Sequence, residues 1–313
     1  MKIIFNKKIV DGPWGGGNQM LLSLVDYLVA NNNHVFYKLE KDADVVFIMD
    51  VKDQSCSFSI EELKRFKEEK GVKIIHRIND NGSHRKNNEE RNDNLMINVN
   101  KNLADKTIFI SDWLKRYYES KGHFVNKSVV IPNGVDRRIF SCSDDDVRSP
   151  KDPIKIITHH WSSNIAKGFD IYNLLGDFCN KNPSVATFTF MGNHPSGFLN
   201  NCNKLPPQTY KEVPCVLKKN DVYVTATQYE SGGCHIIEGM ACGLIPLVKK
   251  GGGGTEEYSS GYGYYYSDFN GLVDCILKLY NNYDLFIQNR NNVRNNYKYG
   301  SWDMGKKYCD MIL

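Results

Sequence analysis

The sequence lacks the closely paired cysteines from which zinc sites and disulfide frameworks are usually built. Its nine cysteines are widely spread, and no two of them form a Cys-x-x-Cys pair. This distribution indicates reduced thiols rather than a disulfide scaffold. The histidines His76, His159 and His160 likewise have no partners at the spacing typical of metal ligands. We therefore expect no metal site.

The sequence also lacks long hydrophobic runs and a strong excess of charge. No stretch approaches the roughly 18 apolar residues that cross a bilayer, and the apolar residues after Met1 are too few for a signal peptide. The formal net charge is only +4, with basic and acidic side chains interspersed, which argues against a nucleic-acid partner. We expect a cytoplasmic protein, with peripheral membrane association left open. The 313 residues, 41% of them hydrophobic, predict two folded domains.

The most informative stretch runs from Tyr229 to Val248. A strand predicted at 222–227 leads into a glycine-containing turn, and a helix predicted from about Cys234 to Cys242 ends at Gly243. A turn at the start of a helix lies at the positive end of the helix dipole. Such a turn suits the phosphate groups of a ligand.

Two carboxylates flank the predicted turn. Glu230 lies in the turn, and Glu238 lies inside the helix among apolar neighbours. A carboxylate in that position is costly unless it is paired, and sugar or ribose hydroxyls are suitable donors. The alternative, in which Glu238 reaches solvent and Glu230 only begins the helix, remains open. The Glu-x7-Glu pattern, followed by Gly-Met-Ala-Cys-Gly-Leu-Ile-Pro, resembles the donor-site signature of retaining GT-B glycosyltransferases of the family 4 type.

This resemblance implies an α/β fold of two Rossmann-like domains that face each other across a cleft. The alternation of strands and helices independently predicts parallel sheets. We expect an acceptor-side domain at 1–140, a nucleotide-sugar-binding domain at 154–297 and a C-terminal helix at 298–313 that packs back on the first domain. The polar segment 141–153, which contains two prolines, is the predicted linker. Its acidic run Asp144–Asp146 is interpreted as solvated rather than metal-binding.

A glycine-rich segment follows the first predicted strand and precedes a helix. Its spacing is not Gly-x-Gly-x-x-Gly and no Walker lysine follows, so a plain turn is an open alternative. The resemblance gives Gly15, Gly16 and Gly17 a place beside the donor phosphate. It gives Thr255, in a second glycine-rich segment, a similar place.

The predicted strand Lys73–Ile78 ends where ligands bind in parallel sheets, at the carboxyl edge. In the family, a residue after this strand contacts the transferred sugar, and both His76 and Asp80 are candidates for that catalytic position. The alternative is that His76 is a core histidine and that Asp80 caps a turn.

The loop after the first strand of the second domain carries Lys167-Gly168. In the family an arginine usually stands five residues earlier, and here that position is Ser162. The resemblance therefore leaves Lys167, with the helix start and Arg77, to neutralise the leaving group.

By the same resemblance, Glu238 binds the ribose and Glu230 binds the transferred sugar. The backbone of Ser231, Gly232, Gly233 and Cys234 joins Lys167 at the diphosphate. Catalysis is expected to rest on Lys167 and Glu230.

These residues predict a glycosyltransferase that moves a sugar from a nucleotide-sugar donor to a glycan, lipid or protein acceptor. The resemblance implies retention of configuration and no metal or other cofactor, with a UDP-sugar favoured as donor. Two alternatives remain open, a GT-B sugar-nucleotide epimerase and a nucleotide-sugar-binding protein without turnover. An NAD-dependent oxidoreductase is disfavoured because the expected fingerprint after the first strand is absent.

Overall fold

The computed structural model of the protein describes residues 1–10, 15–52, 56–84, 90–125, 127–142 and 148–312. The chain forms two compact units. The first unit consists of Met1–Val10, Met20–Gly134 and Ser301–Leu313, and the second consists of Asp11–Gln19 and Val135–Gly300. The change from the first unit to the second thus falls at Gly134, ahead of the predicted linker. No helix in the described ranges is long and apolar enough to span a membrane.

Strands and helices alternate along most of the chain. The strands are β1 (Lys2–Phe5), β2 (His34–Phe36), β3 (Val45–Ile48), β4 (Lys73–Ile78), β5 (Lys106–Phe109), β6 (Ser128–Val130), β7 (Ile154–His160), β8 (Ala186–Gly192), β9 (Asn203–Leu205), β10 (Val222–Thr225), β11 (Ile245–Lys249) and β12 (Tyr264–Tyr266). The helices are α1 (Gly16–Ala30), α2 (Ile60–Lys70), α3 (Glu90–Leu103), α4 (Asp112–Ser120), α5 (Phe169–Lys181), α6 (Val213–Leu217), α7 (Cys234–Ala241), α8 (Gly254–Tyr258), α9 (Phe269–Asn281), α10 (Tyr283–Asn296) and α11 (Ser301–Ile312).

The first unit is built on a six-stranded parallel sheet in the order β2-β1-β3-β4-β5-β6. One face of the sheet packs against buried side chains of α2, α3 and α4, and the other packs against α1 and α11. Because both faces of the sheet are covered, the central strands are buried on both sides, and β3 is apolar throughout. The last helix, α11, belongs to the first unit. Lys73 and Lys106 hold its end by donating to the carbonyls of Ile312 (2.5 Å) and Met311 (2.8 Å).

Local sequence signals account for the ends of two helices in this unit. α2 begins with a capping box of the Ser-x-x-Glu type: the Glu62 backbone N–H donates to the Ser59 hydroxyl (3.1 Å), and the Ser59 N–H donates to the Glu62 carboxylate (2.7 Å). The helix ends at Gly71, whose φ of 65° suits glycine. The Ser111 hydroxyl caps α4 by accepting from the Leu114 N–H at 3.0 Å.

The second unit contains another six-stranded parallel sheet, in the order β12-β11-β10-β7-β8-β9. Buried residues of α5 and α9 cover one face, and those of α6, α7 and α8 cover the other. The central strands β7, β10 and β11 all end at the same edge of the sheet. In parallel sheets ligands bind at this carboxyl edge, and the segments that follow these three strands form the candidate site.

Candidate donor site in the second unit

The predicted strand, turn and helix around Glu230 are confirmed. β10 ends at Thr225, α7 begins at Cys234, and its N-cap residue is Gly233. Glycine has no side chain with which to cap a helix, so the positive end of the α7 dipole faces the turn without a capping side chain. After α7, Gly243 adopts a φ of 84°, which ends the helix and leads into β11.

Two glycine-rich turns pack against each other at this edge. The Glu230 N–H donates to the Gly252 carbonyl (3.0 Å), and the Gly254 N–H donates to the Glu230 carbonyl (2.6 Å). A Cβ atom on Gly254 would lie 2.6 Å from the Ser231 carbonyl oxygen, and one on Gly233 would lie 2.5 Å from Cγ2 of Thr255. The glycines are therefore required for close packing of the turns.

The position of Thr255 corrects its predicted role as a donor-binding residue. Its side chain is fully buried, and its hydroxyl donates to the Gly252 carbonyl at 2.9 Å. The methyl group packs on Gly233. Thr255 thus supports the turn from inside and does not present its hydroxyl to a ligand.

Lys167 and Glu230, predicted from separate parts of the sequence, meet in the structure. The Lys167 ammonium donates to the Glu230 carboxylate, and the side chains are 18% and 22% exposed. Lys167 ends a short 3-10 turn, Ile165–Lys167, and Gly168 follows with a φ of 83°. A Cβ atom on Gly168 would lie 2.4 Å from Cβ of Ala226, so this glycine lets the Lys167 turn lie against the end of β10.

Ser162 occupies the position at which the family usually has an arginine. Its hydroxyl accepts a hydrogen bond from the Asn164 N–H at 3.2 Å, and Asn164 in turn caps the 3-10 turn by accepting from the Ala166 N–H at 3.1 Å. Ser162 therefore contributes to the loop that positions Lys167, but it supplies no charge for a phosphate.

Glu238 is nearly buried in α7 and has a histidine partner that the sequence did not predict. Nε2 of His159 lies 2.7 Å from Oε2 of Glu238, and the two side chains are 13% and 9% exposed. His159 is next to the end of β7, and its Nδ1 lies 3.0 Å from the hydroxyl oxygen of Tyr223 in β10. The Glu238 carboxylate is thus held in place by residues of the sheet on which α7 packs.

Two further histidines lie close to this group, and burial keeps both neutral. Burial lowers the pKa of His235 to about 3 and outweighs the nearby Glu230 carboxylate, which raises it. Burial similarly holds the pKa of His160 well below its ordinary value. The two rings are 4.9 Å apart, and Nε2 of His160 lies 2.8 Å from the Tyr172 hydroxyl. These two rings therefore add no positive charge to that of Lys167 and the α7 dipole.

The alternation of side chains along β7 was the signal that could have revealed these contacts. Adjacent strand residues point to opposite faces of a sheet. Accordingly His159 contacts Glu238 in α7, whereas His160 contacts Tyr172 in α5.

Two of the three glycines predicted to bind the donor, at the start of α1, lie near this site. A Cβ atom on Gly16 would lie 2.5 Å from Cβ of Cys234, the first residue of α7, and one on Gly15 would lie 3.5 Å from the ring of Trp161. A Cβ atom on Gly17 would meet nothing within 4 Å. Gly15 and Gly16 thus lie beside the α7 turn, and the preceding residues 12–14 are outside the described ranges.

The first unit holds the other predicted catalytic residues, and it corrects the role of His76. The ring of His76 is fully buried in β4, where the Asn100 amide donates to Nδ1 at 3.0 Å. Burial lowers its pKa to about 3. His76 is therefore a neutral core histidine and cannot contact a sugar.

Arg77 and Asp80 occupy different environments in the same unit. Arg77 is only 2% exposed and donates to the Asn133 side-chain oxygen at 2.8 Å, so it is not available to a leaving group. Asp80 follows β4, is half-buried, and accepts from the Asn81 N–H through Oδ1 at 3.0 Å. The carboxylate of Asp80 remains a candidate for sugar contact.

Within the described residues, no group of three or more His, Cys, Asp and Glu side chains could hold a metal ion. The acidic run Asp144–Asp146 lies outside the described residues.

Comparisons with solved structures agree with this architecture. The structure is similar to that of HepE from Anabaena in complex with UDP-glucose, with a TM-score of 0.76 and 14% sequence identity, covering 100% of this chain and 99% of that one. It is also similar to sucrose-phosphate synthase from Thermosynechococcus elongatus, with a TM-score of 0.70, 15% identity, and coverage of 99% and 98%. The pneumococcal O-GlcNAc transferase GtfA in complex with UDP and GlcNAc gives a TM-score of 0.65 at 14% identity, covering 92% of this chain and 58% of that one.

These similarities define the fold of the chain as GT-B, which confirms the predicted α/β fold class. Residues 196–298, which contain the Glu230 turn and α7, match the family model of the group 1 glycosyl transferases. No curated protein matches the sequence significantly.

Proposed function

We propose that the protein is a glycosyltransferase that moves a sugar from a nucleotide-sugar to an acceptor hydroxyl on a glycan, lipid or protein. The observation that carries this proposal is the contact between Lys167 and Glu230 at the turn that begins α7. A cation, a carboxylate and the positive end of a helix converge there. A diphosphate requires positive charge, and a sugar hydroxyl is suited to a carboxylate.

In this proposal Lys167 and the start of α7 bind the diphosphate of the donor. Glu230 accepts hydrogen bonds from the transferred sugar, and Glu238, about one turn into α7, accepts them from the ribose. The near burial of Glu238 supports its role, because a carboxylate out of water gains most from additional donors. The backbone of Ser231 to Cys234 provides the surface on which the diphosphate lies.

The reaction replaces one carbon–oxygen bond with another. The bond between the anomeric carbon and the diphosphate oxygen breaks, the acceptor oxygen bonds to that carbon, and the acceptor proton leaves with the nucleoside diphosphate. Lys167 and the α7 dipole stabilise the negative charge that develops on the departing oxygen. We propose the retaining, metal-independent family 4 mechanism on the strength of the Glu-x7-Glu resemblance.

UDP-sugars are the first donors to consider. The structures of HepE and GtfA, which share the fold, were solved with UDP-glucose and with UDP and GlcNAc, respectively. We extend that preference to this chain, with the acceptor left as a hydroxyl compound of unspecified class.

A thermal-shift screen against UDP-, GDP-, dTDP- and ADP-sugars tests the proposal, because a ligand that binds only the folded protein raises the melting temperature. The selected donor is then incubated with glycan, glycolipid and peptide acceptors, and released nucleotide and glycosylated product are measured. Acceptor-dependent product supports a transferase. A rearranged sugar without acceptor indicates an epimerase, binding without turnover indicates a binding protein, and no shift with any donor contradicts the proposal.

A further inference from the structure

A tyrosine and a histidine of the sheet hold the carboxylate of Glu238. His159 Nε2 lies 2.7 Å from Glu238 Oε2, and His159 Nδ1 lies 3.0 Å from the Tyr223 hydroxyl oxygen. The contact joins residues 79 positions apart in the sequence. The three side chains come from β7, β10 and α7, so their meeting depends on the packing of the unit rather than on a local turn.

One set of hydrogen-bond directions satisfies all three residues of this chain. The His159 backbone N–H donates to the Tyr223 oxygen at 3.1 Å, so the Tyr223 proton is directed elsewhere. It can be donated to Nδ1 or to the carbonyl of His159, at 3.0 and 3.3 Å. When Tyr223 donates to Nδ1, a neutral His159 carries its own proton on Nε2 and donates it to Glu238.

Tyr223 is held rigidly in this position. It is fully buried, and its ring lies edge-on to His159 with 5.6 Å between centroids. Gly239, the residue after Glu238, makes this packing possible, because a Cβ atom there would lie 2.5 Å from Cδ2 of Tyr223. Burial raises the pKa of Tyr223 well above its ordinary value, which keeps the hydroxyl protonated.

Within the described part of the chain, His159 is the one side chain that donates a hydrogen bond to the Glu238 carboxylate. An ionised carboxylate has about four acceptor positions, so one donor leaves most of them for a ligand. A fixed carboxylate with remaining acceptor capacity is suited to a pair of neighbouring hydroxyls, whose two O–H groups can donate to it together.

We propose that His159 and Tyr223 are positioning residues that orient Glu238 for the ribose diol of the donor, an inference that rests on the proposed function. They thereby make the site selective for ribonucleotides over deoxyribonucleotides. His159 acts through Glu238 and does not take part in bond breaking. A carboxylate without this support would rotate or turn toward solvent and would lose the geometry that accepts two hydroxyls together.

The test is the ratio of dissociation constants for a nucleotide with and without its hydroxyls. UDP and 2′,3′-dideoxy-UDP are titrated calorimetrically into the wild-type protein and the variants His159→Phe, His159→Gln and Tyr223→Phe. We expect the wild type to prefer UDP by about tenfold or more, because hydrogen bonds to a charged group are lost in the dideoxy compound. His159→Phe should reduce that ratio to near one while binding dideoxy-UDP as the wild type does. His159→Gln, which keeps an N–H donor, should retain part of the preference for UDP. Tyr223→Phe should reduce the ratio of the dissociation constants severalfold relative to the wild type.

The outcomes separate this inference from the proposed function. Unchanged discrimination in His159→Phe overturns the positioning role and leaves the proposed function intact. Equal wild-type binding of UDP and dideoxy-UDP also overturns it. A wild-type protein that binds none of the nucleotides in the donor screen contradicts the proposed function itself. A loss of dideoxy-UDP binding in every variant would show that His159 has only a structural role.

Discussion

The ammonium of Lys167 and the carboxylate of Glu230, 63 positions apart in the sequence, form an ion pair at the carboxyl edge of the second sheet. In the proposed donor complex, Lys167 binds the diphosphate and Glu230 accepts hydrogen bonds from the sugar. Each side chain must therefore exchange its partner for a part of the donor. This exchange predicts that the two residues affect nucleotide binding in opposite directions.

Lys167→Ala should weaken UDP binding and reduce turnover by more than about tenfold, because it removes the principal cation at the leaving group. Steady-state kinetics with the selected donor measures the effect. Lys181→Ala, an exposed lysine at the other end of α5, is the matched control and should behave as the wild type. Turnover of Lys167→Ala equal to that of the control would remove Lys167 from the mechanism.

Glu230→Gln should bind UDP more tightly, by roughly threefold, because Lys167 is released and a negative charge near the diphosphate is removed. The same variant should transfer sugar more slowly, since the sugar loses its carboxylate partner. Calorimetry with UDP and kinetics with the UDP-sugar separate the two effects. Weaker UDP binding by this variant would contradict the exchange of partners.

Glu238→Gln should weaken donor binding by about 1–3 kcal/mol, the usual cost of losing hydrogen bonds to a charged group. Titration of UDP into the variant measures this change. Glu61→Gln, at an exposed position of α2, makes the same change of charge in the first unit and is the control. Equal affinities of the two variants would refute the ribose assignment.

Gly233→Ala should weaken UDP binding, because its methyl group would lie 2.5 Å from Cγ2 of Thr255 and force the turn apart. Overpacking of this kind typically costs about 1–3 kcal/mol. Thr255→Ser removes the clashing methyl group and keeps the hydroxyl that donates to Gly252. The double variant should therefore recover most of the affinity, and failure to do so would mean that the turn does not shape the site.

The stability of the protein should fall in mild acid because of His76. Burial lowers the pKa of His76 to about 3 in the folded protein, whereas the unfolded chain has the ordinary value near 6.5. Between these values the unfolded state takes up a proton that the folded state does not, so the free energy of unfolding decreases as the pH falls. From pH 6.5 to 5 this single group accounts for about 2 kcal/mol.

His76→Gln tests that pH dependence, because glutamine cannot titrate but can still accept from the Asn100 amide. Urea unfolding at several pH values should give a flatter pH dependence for the variant than for the wild type. His235, whose pKa is also about 3, contributes the same trend to both proteins. Identical slopes for wild type and variant would contradict the assignment of His76 as a neutral core residue.

Much of the fold followed from local sequence signals. The capping box at Ser59 and the glycine that ends α7 each act through neighbouring backbone groups. Their effects can therefore be predicted from a short segment of sequence. The contact between Lys167 and Glu230 could also be predicted from the sequence, because both residues follow strands of a parallel sheet and such strands end at one edge.

The errors and omissions have a different origin. His76 lies in a strand that also contains Lys73 and Arg77, so the sequence pattern did not show that its side chain is buried. Thr255 bonds within its own turn, an outcome that depends on how two glycine-rich turns pack. The contact of His159 with Glu238 depends on which face of β7 lies beneath α7, and this required the packed structure.

A crystal structure of the protein with UDP would show whether Lys167 and Glu238 hold the nucleotide. We expect the diphosphate oxygens within hydrogen-bonding distance of Lys167 at the start of α7, with the ribose hydroxyls at the Glu238 carboxylate. Density for UDP that leaves both Lys167 and Glu238 away from the nucleotide would contradict the account.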